Sequence, residues 1–130
     1  MKSSIVRILT IVFAFMTAPT VHAGPYTDDL SKCLVESTTP ETRMVLVKWL
    51  FMALSQHPAI TSFGTFPDSE WHETSQGVAD LLVRLLTESC PKKAQAALQY
   101  EGRVALQSSL QVFGTIAGTE LFTNPVVAGA

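Results

Sequence analysis

The sequence predicts a compact all-α domain, a bundle of about five helices closed by one disulfide between Cys33 and Cys90. Three observations predict it. Apolar residues recur at three- and four-residue steps in several stretches. Every proline after Pro25 falls between those stretches, at 40, 58, 67, 91 and 125, where it ends one helix or starts the next. No segment alternates apolar and polar residues with a period of two, and there is no repeat or low-complexity run.

The stretch Arg43–Pro58 organises the rest. Ten of the eleven residues from Met44 to Leu54 are apolar, with Lys48 the exception. A helix that is apolar on all sides is ordinarily buried, and this one is too short for a bilayer, which takes about 20 apolar residues. It is therefore expected as the central helix, over 40–56.

Residues 1–23 read differently. Lys2 and Arg7 give a basic start, Ile8–Met16 is apolar apart from Thr10, and Pro19 leads to Val21-His22-Ala23. That is the pattern of a secretory signal peptide cut after Ala23. The rival is an uncleaved anchor, for which the apolar run is short. Cys33 lies well beyond that run without a lipobox, so no lipid anchor is expected. One helical domain over 24–125 and a flexible tail over 126–130 remain.

Tyr26, Leu30, Cys33, Leu34 and Ser37 space a first helix over 26–37, with Asp28 and Asp29 in its first turn. Thr39-Pro40-Glu41 is the clearest helix start: Thr39 caps and Pro40 occupies the first helical position. Pro58 stops that second helix near Gln56. A loop over 59–68 carries Phe63 and Phe66, expected to fold back onto the bundle. Asp68 or Ser69 caps a third helix reaching Ser89, with Trp71, Val78, Leu81, Leu85 and Cys90 on one face. Gly77 inside it weakens it by about 1 kcal/mol relative to alanine and marks a close approach of helices. Pro91 opens a short fourth helix ending at Glu101, and Gly102 separates it from a fifth over 103–123.

Nine Lys and Arg residues face eleven Asp and Glu. Lys2 and Arg7 leave with the leader, so seven basic residues remain and the net charge becomes −4. Lys92-Lys93 is the one basic pair, which argues against nucleic acid as a partner, since phosphates need clustered cations. Two cysteines in an exported chain default to a disulfide. Their wide spacing is unlike the Cys-x-x-Cys of redox pairs.

Candidate chemistry is sparse. His72-Glu73-Thr74-Ser75-Gln76 falls one residue short of the zinc-protease motif His-Glu-x-x-His, because Gln76 stands where the second ligand belongs. His57 and His72 flank the loop near Asp68, Glu70 and Glu73. Two histidines and a carboxylate can hold a metal; the plainer reading leaves both histidines in solvent. There is no nucleophile elbow and no phosphate-binding glycine loop. No residue is assigned as catalytic or metal-ligating, and no cofactor is implied. Lys48 either snorkels to the surface or faces a cleft. Gly114 and Gly118 either seat one core helix on another or join two copies of the chain as a homodimer. His57, Phe63, Phe66, Trp71 and His72 make the candidate binding loop, provided its aromatic residues point outward.

The run Lys32–Glu41, then Leu46–Phe51 and His57-Pro58, resembles a group of small secreted proteins of gammaproteobacteria. The likeness extends through Leu85–Cys90 and Tyr100–Gly102. That group has no assigned activity, so the resemblance implies a bacterial exported domain and no catalytic residues. The functional expectation is a periplasmic or secreted domain, without enzymatic activity, that binds another protein as an inhibitor or immunity protein does. A small periplasmic chaperone and an apolar-ligand carrier are the alternatives, and a metal-dependent enzyme is the weakest.

Overall fold

A computed structural model describes residues 23–130. The leader expected over 1–23 lies outside the described residues except for Ala23. The described chain is helical and holds no strand. Its elements are α1 (Pro25–Glu36), α2 (Pro40–Ser55), a 3-10 turn (Thr61–Phe63) and α3 (Asp68–Arg84). A π turn (Leu85–Ser89), α4 (Pro91–Glu101), α5 (Arg103–Thr123) and the single turn α6 (Pro125–Ala128) follow. This is the expected all-α bundle, with Cys33 bonded to Cys90. No helix among the described residues is long and apolar enough to cross a membrane.

The helix starts follow local chemistry. Proline occupies the first helical position of α1, α2, α4 and α6. The Thr39 hydroxyl accepts from the Thr42 amide at 3.3 Å, as the sequence predicts. Asn124 caps α6 by accepting from Val126 N at 3.0 Å, so residues expected as a tail include one helical turn. The start of α3 differs from expectation: extended Pro67 holds the cap position and makes no side-chain cap bond, while Asp68 lies inside the first turn with Glu70. Gly102 links α4 to α5 at φ 79°, ψ −167°, a region closed to residues with a side chain.

The third helix does not run evenly to Ser89. After Arg84 it widens into the π turn, in which Cys90 N donates to Leu85 O at 2.8 Å. Leu85 is buried and Leu86 packs beside it against the core. Pro91 then starts α4.

The expected placement of the second helix needs correction. α2 packs on α3 and α5 and buries only Val47 and Met52 of its apolar residues. Leu50, Phe51 and Leu54 are 38%, 63% and 62% exposed. The centre belongs instead to α5, which meets α1, α2 and α4 and carries the fully buried Phe113. Chain length explains this, because the remaining helices are too few to surround α2 as well as form a core. Small buried residues on α5, Ala105, Ser109 and Ala117, let its neighbours approach. Gly114 faces Leu46 of α2, a Cβ there meeting Leu46 Cδ2 at 3.9 Å, whereas the space over Gly118 is open. Gly77 of α3 lies against Val45 of α2, where a Cβ would reach 3.4 Å.

Two polar clusters tie the elements together. Arg43, almost fully buried, donates from Nε to Glu120 Oε2 at 2.8 Å and from the second guanidinium arm to Glu120 Oε1. Its remaining nitrogen reaches Val35 O at 3.0 Å and Thr38 O at 2.8 Å. One side chain thus joins the end of α1, the start of α2 and the end of α5. In the second cluster Glu101 caps α1 from the far end of α4. It accepts from the amides of Tyr26 and Thr27, both at 2.9 Å, and from the Thr27 hydroxyl. Ser109 Oγ donates to Thr27 O at 3.0 Å.

Candidate functional site

The exposed face of α2 and the first turns of α3 enclose a cleft of about 370 Å³ lined by Lys48, Phe51, Met52, Phe66, Glu70, Glu73 and Thr74. α2 supplies apolar side chains because its sequence has no wet face to turn outward. Phe51 and Leu54, three residues apart, share a stripe with Leu50, four residues before Leu54. The loop supplies Phe66, which meets Phe51 edge-on at 5.9 Å and 77°. α3 supplies carboxylates because acidic residues favour its first turns. Glu70 and Glu73 sit opposite Lys48, which makes no ion pair among the described residues.

The residues singled out in the sequence divide. Phe66 folds back as expected. Phe63 does not: it stands at the end of the 3-10 turn with 88% of its surface exposed. Trp71 is half-buried and His72 exposed, and neither lines the cleft. His57 is exposed and closes the turn after α2, its Nδ1 accepting from Ala59 N at 3.2 Å. Gln76, in the second position of the protease-like motif, donates to Asp80 Oδ1 at 2.9 Å. No group of three or more His, Cys, Asp or Glu side chains placed to hold a metal occurs among the described residues.

Sequence reasoning missed Leu50, Phe51 and Leu54, taking them as core. The available signal was the excess itself: α2 presents more apolar surface than a bundle of this size can cover.

A second, larger cleft of about 770 Å³ lies between α2 and the chain end, lined by Pro40, Met44, Leu121, Val126 and Val127 with Glu41, Glu120 and again Lys48 at its edge. The Arg43 guanidinium holds the Glu120 carboxyl below its ordinary value, and Glu120 in turn raises Arg43. The Thr27 hydroxyl and the amides of Tyr26 and Thr27 lower Glu101. The backbone and Thr39 lower Glu41.

The arrangement can hold apolar side chains beside a pair of carboxylates. No protein-family model, curated protein or solved structure matches the chain.

Proposed function

We propose that the chain is an exported domain without enzymatic activity that binds another protein, as an inhibitor or immunity protein does. One observation supports this most directly: Phe51 stands largely in solvent on a cleft edged by Glu70 and Glu73, and Leu54 and Phe63 are also largely exposed. Clustered exposed apolar side chains mark interaction surfaces. The partner segment that fits is an amphipathic one, with apolar side chains for the cleft and basic groups for Glu70 and Glu73. Export accords with the leader pattern and with the Cys33–Cys90 bridge, which suits an oxidising compartment such as the periplasm or the medium.

The test is retention of a partner from periplasmic extract on the immobilised, oxidised chain. Wild type is expected to retain a specific protein that Phe51→Asp does not, with unchanged helicity in the variant. No retention, or equal retention by both, overturns the proposal.

The second cleft favours a second reading, a carrier of an apolar ligand, since about 770 Å³ falls in the range of small-molecule sites. A native mass spectrum of the purified protein decides it: a co-purifying small molecule supports the carrier, and the bare chain mass counts against it.

A further inference from the structure

We propose that removal of the leader after Ala23 supplies the last contact of the fold: the new α-amino group of Gly24 pairs with the Glu101 carboxylate. This rests on the export reading above.

The geometry at the start of α1 points to it. Gly24 holds the cap position of α1 and has no side chain to cap with. The cap comes instead from Glu101, 74 residues beyond Thr27, whose two oxygens accept from the amides of Tyr26 and Thr27. The carboxylate lies directly against the Gly24 backbone. A Cβ on residue 24 would overlap Oε1 and Cδ and approach Oε2 to 2.9 Å. The Gly24 nitrogen is bonded to the same Cα as that imagined Cβ, which places it within about 5 Å of the carboxylate. Ala23, Gly24, Thr27 and Glu101 also border a shallow surface hollow of about 280 Å³, so the nitrogen has room and access to water.

In the precursor that nitrogen is a neutral amide. Hydrolysis of the Ala23–Gly24 bond adds hydroxide to the Ala23 carbonyl carbon and a proton to the Gly24 nitrogen. The resulting amine, with an ordinary pKa of about 8, is an ammonium at neutral pH. A bare cation at a helix start opposes the helix dipole. Here Glu101 stands between the two and interacts favourably with both. Two sequence features therefore meet at one junction: a small residue at 23 for cleavage, and a glycine at 24, where a side chain would push the flexible Glu101 carboxylate out of this position.

α1 would then be held to both ends of α4 by bonds that only the exported chain acquires. Oxidation joins Cys33 to Cys90, just before α4 begins, and cleavage completes the contact with Glu101 where α4 ends.

The experiment compares the oxidised chain beginning at Gly24 with a free amine against the same chain Nα-acetylated, in wild type and in Glu101→Gln. Acetylation is expected to lower the thermal midpoint by about 3 °C in wild type and by under about 1 °C in the variant. No effect in wild type, or the same drop in both, overturns the proposal. If Glu101→Gln does not fold, the labelling rate of the Gly24 amine at pH 7 gives the answer in wild type. Pairing slows it at least about threefold relative to the urea-unfolded chain, and equal rates overturn the proposal. The mass of the chain recovered from the periplasm tests the underlying reading separately: a start other than Gly24 overturns that reading whatever the midpoints show.

Discussion

α1 and the carboxyl end of α2 are treated in opposite ways by the same fold. α1 buries Leu30 and Leu34 completely. It is bonded covalently near one end, capped by Glu101 at the other, and linked between them by Lys93 to Asp29 at 3.4 Å. Tyr26 and Tyr100 stack at 4.6 Å over the capped end. α2 is fastened at its start by Arg43, but from Leu50 onward most of its apolar side chains meet water. The more apolar helix is thus the less buried one. Hydrophobicity alone does not decide burial when a chain is short. What decides is which helices carry small residues and cross-links that let others pack around them, and the surplus apolar surface of α2 stays exposed.

This contrast can be broken at graded cost. Replacing both cysteines with serine removes the covalent tie of a loop with sequence separation 57. It is expected to lower the unfolding free energy by about 4 kcal/mol, read from urea denaturation. Arg43→Ala leaves the Val35 and Thr38 carbonyls without their donor. The expected loss is about 2 kcal/mol, and hydrogen exchange should show α2 opening before α1. Acid acts on both polar clusters. Glu101 and Glu120 titrate below the ordinary 4.5 in the folded chain. Their contribution is therefore present above pH 4.5 and is lost as the pH falls through their lowered values. Urea midpoints between pH 7 and 3 should fall on the acid side, and Glu101→Gln should flatten that fall. The smallest effect belongs to the open side: Phe63→Ser should change stability by less than about 0.5 kcal/mol. A larger loss would mean that this ring is packed rather than presented.

Much of the architecture is legible before any coordinates are known, because helix starts and stops are local. Thr39-Pro40, Gly102 and Asn124-Pro125 act within a few residues of themselves. The partnerships that fix the helices in space are not local. Arg43 and Glu120 are 77 residues apart, and nothing in either neighbourhood names the other. The same holds for Glu101 and Thr27. The position of α2 is misread because burial is a competition among all helices, and apolar content measures only one contestant. The π turn depends on seating Leu85 and Leu86 ahead of Pro91, a packing demand with no sequence mark of its own. For the candidate site, Phe66 and Lys48 are visible as the aromatic loop residue and the odd charge. Phe51 is hidden inside a run that looks like core.

The aromatic residues are divided between these two sides. Tyr26 and Tyr100, the only tyrosines, sit together on α1 and α4, whereas Trp49 and Trp71, the only tryptophans, lie on α2 and α3. The protein therefore carries two built-in optical reporters. Tryptophan emission follows the side with the exposed face, and tyrosine near-ultraviolet dichroism follows the cross-linked side. Coincident melting curves from the two signals would establish a single cooperative unit. An earlier tryptophan transition would identify α2 and α3 as a region that opens by itself.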